Sequence, residues 1–140
     1  MIEILAYESH HVALMTPQPA QAHEALVAGA PEPREQLDAM TLTAEGLPIC
    51  CVGLWELWPG RVSCWAIFAA DAGPHMVAIV RAIRFRLARA ASPRIEMVVD
   101  ASFEPGRRLA LLLGFEQETP TALRKYLPGG RDAWLFARIT

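Results

Sequence analysis

Residues 94–115 read RIEMVVDASFEPGRRLALLLGF, and the fold turns on how this stretch divides. In Arg94–Asp100, Ile95, Met97 and Val99 fall on one face of an extended chain, with Glu96 and Asp100 on the other, the period of a β-strand. A helix is predicted from about Pro105 to Leu113. Gly114 follows as a left-handed C-cap, which glycine adopts without a steric penalty. Strand, helix, then Leu113-Gly114-Phe115 is the unit around which the rest of the chain is placed.

Upstream, Thr41–Ala44 reads as a strand entering a tight turn at Glu45-Gly46. Leu47-Pro48 leads into a strand over Ile49–Leu57, which ends at Pro59-Gly60. Arg61–Ala69 is a further strand, with Val62, Cys64, Ala66 and Phe68 alternating against Arg61, Ser63, Trp65 and Ile67. Apolar groups on both faces suit a central strand covered from both sides. Gly73-Pro74 opens a helix, because proline in the first turn has no intrahelical N–H to lose. Met76, Ile79, Val80, Ile83 and Leu87 recur at helical spacing and should pack on the sheet. Ser92-Pro93 marks that helix's end. Downstream, Phe115–Leu127 and Ala133–Ile139 form a predicted closing hairpin around Pro128–Arg131.

The first 40 residues are less regular. Ile2–Tyr7 is a predicted strand, with Ile2 and Ile4 alternating against Glu3 and Leu5, and His10–Met15 starts a helix that Pro17 and Pro19 must break. Gln21–Val27 offers a short helical stretch with Ala22, Ala25 and Leu26 on one side. Pro33–Met40 is predicted as a turn or two of helix, with Leu37 and Met40 inward. The expected organisation is a single domain over 1–140, with an irregular N-terminal part (1–40) and a core (41–139).

Composition bounds the function. A chain of 140 residues, 53% hydrophobic and 20% charged, buries a real core. A net charge of −2 argues against a general nucleic-acid binder, which needs a cationic surplus. No apolar run reaches the roughly 18 residues of a membrane span, and the N-terminus lacks the basic and apolar regions of a secretory signal. Adjacent Cys50 and Cys51 point to opposite strand faces and, with Cys64, read as reduced thiols of a cytosolic protein. The spacing of His10-His11, His23 and His75 is not that of a metal site.

The order of these elements resembles that of the GNAT acetyltransferases, over residues 41–139. A closer resemblance, to phage-encoded GNAT-like proteins related to a T7-type internal-virion assembly factor, rests on several segments. These are Gly46-Leu47-Pro48 with Val52-Gly53, Pro59-Gly60-Arg61 before Trp65-Ala66-Ile67, Arg94-Ile95-Glu96, Gly106-Arg107-Arg108-Leu109 before Leu113-Gly114-Phe115-Glu116, and Tyr126-Leu127-Pro128 with Gly130-Arg131-Asp132. The implied fold is α/β (α+β) and three-layered, a mixed central sheet of six to seven strands flanked by helices.

What the resemblance implies for chemistry is acetyl-CoA held where strands Arg61–Ala69 and Arg94–Asp100 splay apart, with the pyrophosphate at the loop 69–75 leading into a helix N-terminus. Trp65, Ala66, Ile67, Phe68, Gly73, His75, Met76 and Phe103 are the implied cofactor contacts. Asp100, Glu56 and Glu96 are candidate bases and Tyr126 a candidate acid. The family's glycine-rich loop is here Asp71-Ala72-Gly73-Pro74-His75-Met76, with only Gly73 kept and Asp71 adding negative charge, though Asp71 also suits a helix N-cap. Phe103 and Ala110 stand where the family often has Asn and Tyr. His75 suits phosphate, a base role or plain surface, and Asp100 suits a capping carboxylate before Ser102. Arg81, Arg84 and Arg89 suit a 3′-phosphate or a solvated helix face. Trp55, Trp58 and Trp65 suit an acceptor cleft or the core.

Two functions follow. One is an acetyl-CoA-dependent N-acyltransferase acting on a small-molecule or protein amine in the host cytoplasm. The other is a non-catalytic phage protein of the same fold, associated with the virion and other phage proteins. An exposed edge strand allows a homo-oligomer in either. A third, weaker reading is a small module that binds host proteins through exposed tryptophans.

Overall fold

The computed structural model describes residues 1–19, 21 and 29–140. Among the described residues, eight strands form one sheet: β1 (Ile2–Ala6), β2 (Asp38–Ala44), β3 (Leu47–Trp58), β4 (Arg61–Phe68), β5 (Arg94–Asp100), β6 (Glu116–Gln117), β7 (Leu123–Leu127) and β8 (Arg131–Ile139). Among the described residues the named helices are α1 (His10–Ala13), α2 (Met76–Ala88) and α3 (Glu104–Leu112), with a 3₁₀ turn at Gly73–His75 leading into α2. The spatial order β1-β2-β3-β4-β5-β8 is antiparallel except for β4 beside β5, and β6 and β7 both pair with β8. A parallel pair needs a long crossover, and α2 supplies it.

Local sequence explains the turns. Glu45 and Gly46 both have positive φ, 51° and 79°, the two-residue hairpin turn whose twist matches its strands. Gly114, at φ 94°, ends α3 as expected and frees Phe115 to enter the core, where it is 2% exposed. The adjacent cysteines do face opposite ways. Cys50 sits in the large core with Ile79, Ile83, Ile95 and Phe136, and Cys51 in a smaller one with Tyr7, Val12 and Met15. Helices α2 and α3 thus cover one core, and the α1 segment the other.

Four expectations need correction. Residues 33–40 are a 3₁₀ turn over Pro33–Glu35 followed by the start of β2, and Leu37 lies exposed while Met40 is buried. The pairing of Asp38 with Leu54 extends the hairpin, and a ladder of backbone bonds outweighs a weak helical pattern. Helix α2 stops at Ala88, a turn before Ser92-Pro93. The arm 115–127 is two short strands with Pro120 between them, and a register shift lies inside β7 at Lys125, which has φ 54°. That split gives the eighth strand. In β1, Glu3, Ile4 and Leu5 are all exposed, so the strand is a sheet edge with no inward alternation. The predicted helix over Gln21–Val27 falls, apart from Gln21, outside the described residues.

Candidate functional site

The cleft lies where β4 and β5 part. They pair only at Arg61–Arg94, Val62–Ile95 and Ser63–Glu96, and beyond that register the strands diverge. The opening holds about 460 Å³, lined on the strands by Ser63–Ala66, Phe68 and Met97–Asp100, and on the helical side by Met76, Phe103, Gly106 and Leu109, with Leu127 from β7. Its size falls within the range of roughly 300–1,000 Å³ typical of small-molecule sites. Most of the wall is apolar; Ser63, Asp100, Gln18 and Gln21 supply polar side chains.

Two glycines shape the walls by leaving room. A Cβ on Gly53 would stand 2.6 Å from the Trp65 indole, so only glycine lets that ring lie flat on β3. Trp65 is then fixed by an Nε1–H bond to Gln36 Oε1 at 2.6 Å and an edge contact with Tyr7, ring centroids 5.1 Å apart. A Cβ on Gly106 would stand 2.8 Å from Phe103 and 2.9 Å from Val99, so α3 approaches β5 this closely only through glycine. The sequence carries both glycines in the segments of resemblance, and packing is their physical reason.

Asp100 sits at the open end of β5. One carboxylate oxygen accepts from the Ser102 amide at 2.9 Å and hydroxyl at 2.7 Å, and the other pairs with Arg131. Burial pushes this carboxyl up, but the Ser102 bonds and Arg131 together outweigh it and hold the group below the usual carboxylate range. It is an anion at neutral pH. Cys64, also in the cleft wall, has its thiol pushed up to about 12 by burial, which leaves it a neutral wall residue and no nucleophile.

Of the cofactor contacts implied by the sequence, Trp65, Ala66, Phe68, Gly73, Met76 and Phe103 line the cleft. Ile67 instead packs into the smaller core, and His75 caps α2 outside the lining, making no capping hydrogen bond with its side chain. Among the acid–base candidates, the structure brings only Asp100 into the cleft wall. Glu56 is exposed on β3, paired across to Val62, and Tyr126 is exposed on β7 beside Leu127. Glu96 is 5% exposed and spent on structure. Arg61 binds both its oxygens at 2.5 and 2.9 Å and Arg94 adds a third bond at 2.6 Å, so Arg61 above all holds its carboxyl below the usual range. Trp55 and Trp58 are exposed outside the cleft, Trp58 under the Arg61 guanidinium at 4.5 Å. Arg81 and Arg84 are exposed on α2, and Arg89 is exposed at its C-cap.

The loop 69–75 offers an anion little. The Ala70 amide donates to Thr16 O, Ala72 to Ala69 O, His75 to Ala72 O and Met76 to Gly73 O, so four candidate phosphate donors are already used. Asp71 is exposed and lies one residue before the cap of the 3₁₀ turn, which is Ala72. Across the strand edge from this loop, the Gln21 side chain donates to Ala66 O at 2.6 Å and accepts from the Phe68 amide at 2.9 Å. Gln21 and Gln18 are not foreseen from the sequence, and nothing in their spacing signals them.

Glu8, His10 and His11 also gather, with one ligand atom each within 4.8 Å. The His11 Nδ1 accepts from the Glu8 amide at 3.1 Å and lies 2.7 Å from Thr41 Oγ1. That tautomer puts the proton on Nε2, the nitrogen facing Glu8, where a metal would need a lone pair.

The framework is a mixed sheet with one splayed parallel pair joined by a crossover helix. The solved structures agree on the fold. A ribosomal-protein alanine N-acetyltransferase from Escherichia coli superposes with a TM-score of 0.71 at 17% identity, covering 99% of this chain and 94% of that one. Ard1 from Thermoplasma volcanium gives 0.72 at 12% identity, covering 99% and 97%. A GNAT-family acetyltransferase from Bacillus anthracis gives 0.67 at 12%, covering 99% and 94%. No family model and no curated protein sequence matches the chain. The chain therefore has the GNAT fold. Among the described residues, no helix is long and apolar enough to cross a membrane.

Proposed function

We propose that this protein is an acetyl-CoA-dependent N-acyltransferase, and the observation that carries the reading is the apolar cleft between the diverging β4 and β5. The acyl donor supplies a thioester. The chain supplies the strand edge at Ala66–Phe68, the apolar walls of Met97, Val99, Phe103 and Leu109, and the Asp100 anion at the mouth. An ionised Asp100 draws a cationic amine to that end and accepts its proton at a carboxylate oxygen, directly or through water. Tyr126, exposed and outside the wall, has no part in this proposal; a thiolate leaves without an acid. Calorimetry with acetyl-CoA tests it: saturable one-to-one binding supports the enzyme, and no heat at millimolar ligand removes it.

A second reading, a catalytically silent GNAT-fold protein serving in a phage particle, is favoured by one observation, the loop whose amides are spent within the chain beside Asp71. It predicts a fixed copy number in purified particles and no response to CoA.

A further inference from the structure

We infer that Gln21 is a latch on the ligand-binding edge of β4, occupying the backbone groups that an amide-bearing ligand must use. The inference rests on the acyl-CoA reading of the cleft only for the identity of that ligand.

The geometry follows from strand register. Ala69 donates its amide to Ile49 O on β3, so at that end of β4 the Phe68 amide and the Ala66 carbonyl point the other way, into the splay. There β5 has moved off, and an unpaired edge inside a cleft must find partners. Gln21 supplies both from one side chain, its Nε2 donating to Ala66 O at 2.6 Å and its Oε1 accepting from the Phe68 amide at 2.9 Å. Its position is fixed from its own backbone. The Gln21 amide donates to Gln18 O at 2.8 Å, the Gln18 amide to Phe68 O at 3.0 Å, and Pro17 bridges Ala69. Gln18 and Gln21 are themselves part of the cleft lining.

An extended ligand carrying amides pairs with a free strand edge through main-chain bonds. Here it meets an edge already satisfied by a primary amide, which offers the same donor and acceptor. The Phe68 amide has one hydrogen, so a ligand oxygen and Gln21 Oε1 exclude each other. Binding of such a ligand therefore requires Gln21 to swing out. The Ala70 amide, held by Thr16 O at 2.7 Å, ties the same segment to the start of the phosphate-side loop. Release of Thr16, Gln18 and Gln21 would free donors along both parts of the site together.

The test compares wild type with Gln21→Ala and Gln21→Glu, the latter of similar size but unable to donate to Ala66 O when ionised. In the ligand-free proteins, amide exchange at Phe68 should rise at least tenfold in Gln21→Ala while exchange at the Ile83 amide in α2, which reports on global folding, stays unchanged. Calorimetry should show Gln21→Ala binding acetyl-CoA roughly tenfold more tightly than wild type, the worth of about one net hydrogen bond. Gln21→Glu should fall between. Unchanged Phe68 exchange in folded Gln21→Ala overturns the latch, as does equal or weaker affinity when wild type binds. If acetyl-CoA binds none of the three proteins, the acyltransferase reading fails and the Phe68 exchange alone decides the latch.

Discussion

Arg131, the first residue of β8, closes over the Asp100 carboxylate at the end of β5, and Ser102 holds the other oxygen of the same group. Among the described residues, the one carboxylate in the cleft wall is thus pinned in place and kept ionised by its neighbours. The sign of its pH effect follows. A carboxyl held below its unfolded value contributes stability that is fully present above the unfolded pKa, about 4, and is lost as pH falls through the lower folded value. Arg131→Met should cost about 1–3 kcal/mol at pH 7, and much less at pH 3, because it leaves a largely buried anion unpaired only while the anion exists. Urea unfolding at the two pH values reads the difference.

Glu96 makes a stronger version of the same argument. It is buried between two arginines, and Arg94 goes on to pair with Glu118 at 2.5 Å. Glu96→Gln should destabilise the fold by about 2–4 kcal/mol, since two guanidiniums lose their shared anion. Glu118→Gln, at the exposed end, should cost less than about 1 kcal/mol. Denaturant midpoints of the two variants should differ in that order.

Gly53→Ala places a methyl inside the Trp65 ring. The indole has to leave the β3 surface and give up its bond to Gln36 and its contact with Tyr7. A loss of about 1–3 kcal/mol is expected, as for other overpacking changes. A shift of the tryptophan emission should accompany it, because Trp65 borders the open cleft.

All three thiols are buried, and burial raises the pKa of each. Native protein at pH 8 should show no fast reaction with a disulfide reagent, and unfolding in denaturant should release three equivalents. A fast equivalent in the native state would mean that Cys64 is reached through the cleft.

The core of the fold is legible because its signals are local and strong. The alternation in Arg61–Phe68 and Arg94–Asp100, the helical spacing from Met76 to Leu87 and the cap at Gly114 each fix an element without help from the rest. Asp38–Met40 misleads because its pairing with Leu54, Gly53 and Val52 is tertiary, and a single strand cannot announce its partner. The site divides in the same way. Trp65, Ala66, Phe68, Met76 and Phe103 follow once β4, α2 and α3 are placed. Gln21 does not follow, because its role depends on where a side chain from an irregular segment meets a strand edge. Glu96 and Asp100 look alike in sequence, and only the positions of Arg61, Arg94 and Arg131 separate a structural carboxylate from one at the cleft mouth.

The most direct test of the account is a backbone amide NMR titration of the protein with acetyl-CoA. Acetyl-CoA in the cleft should give the largest shifts at Trp65–Phe68, Met97–Asp100 and Gln21, with smaller ones at Gly73–Met76. Shifts that are absent at saturating ligand, or that cluster on the exposed edge of β1 instead, would contradict it.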